Sequence, residues 1–437
     1  MRPATVPCVK AAARLCFQTG FSKEWRWLAS PGRASFRQAQ RHFNVSRCVT
    51  AKRPPPRSPK ETVEIPGLGV ITYGERMHYV PGLAKPVYPL WERAYKDPRF
   101  YQALPAHEMR LYKEKPCYVF HQRTSPLEGL RQALWLTKTK MISSLPPQLL
   151  SLAESAANQI PDLDERVQKA IKHARFWDTT EERPGKAKYC NALLLNLLHL
   201  CATLQTTHSA IGRRMLAERY SLSASWKRGD DLFQIRGQNG FLQNCMDPLP
   251  EISGKQEVKD TADHVLENLY PVCPTISLQK VHLYKEEVNC SGFTGDCPYP
   301  HAHTLYFLEG ADPHWTLRPE QFRTKMVMFA FGNALARAHT LYGNQPQCVL
   351  DRPITVQAVG TNGRLFQFMV FQLNTTDLSG DDGIKNQVWL ESDVELYDFA
   401  KVRPFIKKKQ VKVPAGLAGY KPETFSRFMG LYLHGAA

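Results

Sequence analysis

Apolar residues change their spacing several times along this chain, and each change predicts a different element. Across residues 65–123 neither a helical nor a strand period is present. Pro81, Pro86, Pro89, Pro98, Pro105 and Pro116 interleave instead with Tyr79, Tyr88, Trp91, Tyr95, Phe100, Tyr101, Tyr112 and Tyr118. Proline lacks a donor and restricts the residue before it. The stretch therefore reads as an extended arm, its aromatics buried against another surface or wrapped on the chain's own body. A period near 3.6 follows. Leu127, Leu130 and Leu134 share a face of a helix expected over residues 126–141, and Val167, Ala170, Ile171, Ala174 and Trp177 share one over 163–177. Residues 189–207, with Leu at 193, 194, 195, 197, 198 and 200, predict a largely buried helix.

The C-terminal third mixes periods. Residues 322–342 predict a long helix, with Gly343 placed for a left-handed cap. Residues 354–359 and 364–373 flank Thr361-Asn362-Gly363, and Asn-Gly between alternating apolar runs is a strong hairpin signal. Phe366, Phe368 and Val370 would share one face of that hairpin. A basic strand is expected over 405–413, and Pro422 opens a final helix on Phe425, Phe428, Met429 and Tyr432. The expected class is α+β, a helical layer followed by a mainly antiparallel sheet with flanking helices. The boundaries are residues 1–45 (transit segment), 46–125 (basic, Pro- and aromatic-rich arm), 126–265 (helical) and 266–437 (α+β).

Charge separates the N-terminus from the rest. Residues 1–60 carry 13 Lys and Arg against a single acid, Glu24, whereas the other 377 residues hold 44 basic and 39 acidic side chains. An Arg-rich, acid-poor N-terminus with Lys10 and Arg14, and Phe17 and Phe21, each four apart reads as a mitochondrial transit peptide. Arg41-His42-Phe43 resembles a matrix-peptidase site. The alternative is a basic tail that binds nucleic acid directly. The Pro-rich stretch 51–60 makes a stiff basic linker, and no run of 18 apolar residues spans a membrane.

Candidate chemistry is sparse. Eleven cysteines without a CxxC pair suggest reduced, buried thiols. Cys290, Cys297, His301 and His303 have metal-ligating side chains, but the six-residue gap between the cysteines departs from zinc spacing and a loop explains them better. Residues 364–371 (RLFQFMVF) overlap an RNA-stacking strand signature, yet Leu365 and Gln367 stand where small residues are needed, and a core face accounts for the same aromatics. Asp377, Ser379, Asp381 and Asp382 fail as a calcium loop because Asp382 stands at position six, where glycine is required, and Asp230-Asp231 reads as a solvated turn. Phosphate-loop, HExxH and GxSxG motifs are absent, so no catalytic, cofactor or metal residue is assigned. Lys401, Arg403, Lys407, Lys408, Lys409 and Lys412 form the densest basic run after the N-terminus, with no acid between Asp398 and Glu423. They suit a phosphate backbone, or the protection of an edge strand. Arg93, Lys96 and Arg99 of the arm are further candidate RNA contacts.

Several segments carry a resemblance. Gly74-Glu75-Arg76-Met77-His78-Tyr79-Val80-Pro81, Tyr95-Lys96-Asp97-Pro98-Arg99-Phe100-Tyr101, Ala133-Leu134-Trp135-Leu136-Thr137-Lys138-Thr139-Lys140, Phe371-Gln372-Leu373-Asn374-Thr375-Thr376-Asp377-Leu378 and Leu431-Tyr432-Leu433-His434-Gly435-Ala436-Ala437 are similar to the animal family of mitochondrial large-subunit ribosomal protein thirty-seven. The resemblance implies a non-catalytic structural component of the mitochondrial large ribosomal subunit without a cofactor. It also implies ribosomal RNA and other large-subunit proteins as partners, including a homologous sister protein, rather than a homo-oligomer. A nearly neutral body fits, because each neutralised phosphate needs its own cation, so RNA contact falls at local basic patches. The competing classes are a matrix enzyme that processes or modifies RNA and a translation-activating adaptor.

Overall fold

A computed structural model describes residues 117–178, 185–267, 275–281, 289–309, 318–343, 348–407 and 409–436, together with 105, 108 and 269. The elements in chain order are β1 (Cys117–His121), α1 (Leu130–Leu136), β2 (Thr139–Ser143), α2 (Pro147–Glu154), α3 (Leu163–Lys172), α4 (Lys186–Ala202), β3 (Arg214–Arg228) and β4 (Asp231–Cys245). Then come α5 (Lys255–Asp260), β5 (Gln279–Val281), β6 (His301–Leu308), α6 (Pro319–Tyr342), β7 (Val349–Thr361), β8 (Leu365–Thr375) and β9 (Asn386–Glu395). The chain finishes with β10 (Phe399–Lys401), β11 (Phe405–Lys407), β12 (Gln410–Val413), β13 (Gly416–Ala418) and α7 (Pro422–Leu433).

Among the described residues β1 to β9 form one nine-stranded sheet, in the order β2-β9-β8-β7-β6-β4-β1-β5 with β3 paired to β4. β3 runs antiparallel along one edge of β4, and the opposite edge is shared by β1 and β6. Pairing is mainly antiparallel, with β1/β4, β2/β9 and β6/β7 parallel.

Two apolar layers cover this sheet. On one face α6 is buried almost all round, as its continuous apolar sequence requires. Met326, Phe329, Phe331 and Leu335 pack with Leu130 and Leu136 of α1, Leu222, Ile235, Ala358 and Phe371. Gly332 allows this approach, since a Cβ there would lie 3.0 Å from Leu222 and 3.2 Å from Ile235. On the other face α2, α3, α4 and α7 pack through Leu149, Val167, Leu193, Leu197, Phe425 and Phe428 on Tyr306, Val359, Phe366, Phe368 and Val370. The hairpin around Asn362-Gly363 forms as expected, with Phe366, Phe368 and Val370 on this second layer and Met369, Phe371 and Leu373 on the first. These phenylalanines are core residues, not an exposed stacking surface.

Three expectations change. The helix over 126–141 shortens to the seven residues of α1, because Gly129 (φ 75°) and Lys138 (φ 50°) take left-handed conformations at its two ends. Leu127 is then exposed and Thr139 starts β2. Trp177 leaves the apolar face, because α3 closes in a π-turn over His173–Trp177 whose extra residue rotates it into solvent. The stretch expected to be helical also holds β3 and β4, the longest hairpin among the described residues. Its period-two signal is legible in Tyr220-Ser221-Leu222-Ser223-Ala224-Ser225-Trp226, and the Gly229-Asp230 turn is solvated as expected of Asp230-Asp231. Gly343 does end α6 at positive φ (93°), but its ψ of 174° lies outside the left-handed basin.

Candidate nucleic-acid interface

The basic run after β9 folds as a double hairpin rather than a single strand. β10 pairs antiparallel with β13, and inside them β11 pairs with β12. The apolar alternation stops at the lysines, and the turn there holds Lys409 at φ 60°.

The base of this hairpin is fixed to the body. Ala400 is buried, and Leu417 and Tyr420 pack against the second core layer. Arg175 Nη2 donates to the Ala400 carbonyl at 3.1 Å, and the Asp398 amide donates to the Ala418 carbonyl at 3.1 Å. Lys421 Nζ lies 2.5 Å from Glu395 and 3.4 Å from Asp398, and Arg364 Nη2 lies 2.5 Å from Glu395. Hydrogen bonding to Lys421 is the main influence holding the Glu395 carboxyl below its ordinary range. The nearby carboxylates are thus already engaged by cations of the base.

The tip is different. Lys401, Arg403, Lys407, Lys409 and Lys412 are all exposed. Register sorts the side chains: Ile406 lies opposite Val411 and Phe405 opposite Val413 across a shift, while Lys407 lies opposite Gln410. Lys412 Nζ donates to Gln410 Oε1 at 3.1 Å, which places Lys412 on the Lys407 side. One face is therefore cationic and the other apolar, with Phe405 54%, Ile406 56% and Val411 59% exposed. A lone two-stranded hairpin is marginal in water, so this tip contributes little stability of its own. Lys408, Arg93, Lys96 and Arg99, also candidate contacts, lie outside the described residues.

The other polar concentration is interior. His303 is fully buried, its Nε2 3.0 Å from the His434 carbonyl and its Nδ1 2.7 Å from Thr304 Oγ1. Arg214 donates to the carbonyls of Tyr432 and His434 and so satisfies the C-terminal end of α7, where a helix presents unpaired acceptors. Gln357 hydrogen-bonds the His434 ring. Burial first, and the Arg214 charge next, push the His434 imidazole down to about 4 and that of His303 well below its ordinary value, so both rings stay neutral. Cys290 bridges to Ser223 through its backbone instead of joining His301 and His303, and the described residues bring no three metal-ligating side chains together. Arg214 was not legible as part of this network, because only the fold brings it to α7. Asp381 is engaged as well, paired to the buried Arg228 beneath its loop. Among the described residues no helix is long and apolar enough to cross a membrane.

Comparison with known proteins adds a lineage. Residues 318–403, from the start of α6 to the base of the hairpin, match the family model described as "Mitochondrial 28S ribosomal protein S30 (PDCD9)". The chain is 50% identical over 396 residues to the Gallus gallus "Large ribosomal subunit protein mL37", covering 88% of this chain and 91% of that one. The Rattus norvegicus protein of the same name is 50% identical over 389 residues (89% and 91%), and that of Bos taurus 49% identical over 389 residues (89% and 91%). The family model names a small-subunit protein and spans only 318–403, whereas these relatives name the large subunit and match nearly end to end, so they decide the assignment. The chain belongs to the mL37 family of large ribosomal subunit proteins.

Proposed function

We propose that this protein is a non-catalytic structural component of the mitochondrial large ribosomal subunit, gripping ribosomal RNA at local cationic sites and neighbouring ribosomal proteins over the rest of its surface. The observation that carries this is the acid-free hairpin of β10 to β13, exposed at its β11–β12 tip, on a body whose charges nearly cancel. Counterion release rewards cations that are not already neutralised, and the lysines at the tip meet that condition while the base has consumed the local carboxylates. Residues 1–45 serve as the import segment and 46–125 as a basic arm, with Arg93, Lys96 and Arg99 as further RNA contacts. Among the protein neighbours is a homologous sister protein, supported by the match of 318–403 to a model described for a differently named ribosomal protein. Sedimentation of mitochondrial lysate through a high-salt gradient tests the assignment. Co-migration of the whole pool with the large subunit is expected; a free soluble pool would instead indicate an enzyme or a transient adaptor.

A further inference from the structure

The second helical layer lies over the β6 to β9 half of the sheet. Over β1 the face turned away from α6 is closed, with Cys117 and Val119 buried against Leu232 and Val281, while over the rest of β3 and β4 its composition is different. Tyr220, Leu222, Ala224 and Trp226 of β3 and Phe233 and Ile235 of β4 point to the α6 side. The alternate positions, Ser221, Ser223, Ser225 and Lys227 on β3 and Leu232, Gln234, Arg236 and Gln238 on β4, therefore share the opposite face; Ser225 and Gln234 are buried, whereas Ser221, Lys227, Arg236 and Gln238 are exposed.

We propose that the exposed part of this face is a second phosphate-backbone surface for ribosomal RNA, with Lys227 and Arg236 as its cations and Ser221, Ser223 and Gln238 as its neutral hydrogen-bonding groups. It rests on the assignment above to a ribonucleoprotein particle. No Asp or Glu occupies an outward position of β3 from 221 to 227 or of β4 from 232 to 238. Lys227 and Arg236 are exposed, and among the described residues neither takes an ion pair. Register places Lys227 opposite Leu232, four residues from Arg236, about 13 Å along the strand. Gln234 Nε2 donates to Ser223 Oγ at 3.3 Å and Gln238 Nε2 to Ser221 Oγ at 3.4 Å, so Arg236 sits between two ordered amide–hydroxyl pairs. His121 is its register neighbour on β1, held below its ordinary pKa by burial first and by Arg236 next, and so stays neutral. Arginine, serine and glutamine side chains are the usual contacts to phosphate and sugar. An acidic protein segment would need cations but not this neutral row.

The test is binding of a fluorescein-labelled RNA hairpin to the full chain across a salt series. Wild type is compared with Lys227→Gln/Arg236→Gln, with Lys407→Gln/Lys409→Gln and with the quadruple variant. Losing two phosphate contacts should lower the slope of log K against log salt by about 1.4 to 1.8 in each double variant, and additively in the quadruple. A slope that falls only for the β11–β12 variant overturns the sheet-face proposal and leaves the hairpin's role standing. Slopes unchanged in both, or no binding by wild type, remove RNA contact altogether. Polyglutamate competing equally well with wild type and losing affinity only for Lys227→Gln/Arg236→Gln would assign the face to an acidic protein and overturn the proposal. Should that variant misfold, Gln238→Glu at an exposed position of the same face must weaken RNA binding in its place.

Discussion

The socket that receives α7 and the hairpin that precedes α7 in the chain are opposites in physics. In the socket every charge is internal and answered: Arg214 is spent on the carbonyls of Tyr432 and His434, and His303 and His434 are held neutral. In the hairpin Lys401, Lys407, Lys409 and Lys412 stand in solvent and an apolar face is left open. The first arrangement stabilises the free chain, whereas the second contributes little until a partner covers it. Stability and assembly should therefore separate by position, and substitutions in one region should not mimic those in the other.

The largest effect is expected from Arg214→Leu. It strands the Tyr432 carbonyl and leaves that of His434 to His303 alone, so at about 1–3 kcal/mol for an unsatisfied buried carbonyl urea denaturation should show a loss of roughly 1–3 kcal/mol. A loss under 1 kcal/mol would mean that the guanidinium does not close the helix. Next comes pH. The histidine pKa is depressed in the folded chain, so the unfolded chain binds protons first as pH falls below about 6.5. Stability is then fully present above that value and declines toward the folded value of about 4. Between neutrality and pH 5, His434 alone should remove about 2 kcal/mol, and His434→Gln should flatten that part of the profile.

The socket also marks the limit of what the sequence could tell. Local periodicity found α6, the Asn362-Gly363 hairpin, α7 and its apolar residues, because each is specified by neighbours a few positions apart. β3 and β4 were legible in the serine alternation but lay among helical signals. The network of Arg214, His303 and His434 joins residues far apart in sequence, and no spacing rule links them. The basic run was visible as composition, but its sorting into a cationic and an apolar face depends on the Phe405/Ile406 register shift, which local patterns do not encode.

Smaller effects belong to the hairpin. Lys407→Glu/Lys408→Glu/Lys409→Glu should cut incorporation into the large subunit several-fold while changing the stability of the free chain by less than about 0.5 kcal/mol. A matching loss of stability would return the hairpin to the folding core. Lys409→Gly should move the two readouts in opposite directions: relief of the positive φ stabilises by about 1 kcal/mol, while loss of one cation lowers incorporation slightly. If both rise together, the lysine is not a contact.

Lysine acylation read by mass spectrometry, on the free chain and on intact large subunits, probes the central contrast most directly. Lys407, Lys409 and Lys412 should react readily in the free chain, be shielded in the particle, and become reactive again after ribonuclease treatment. Equal labelling in the free and assembled states would contradict a cationic grip on RNA.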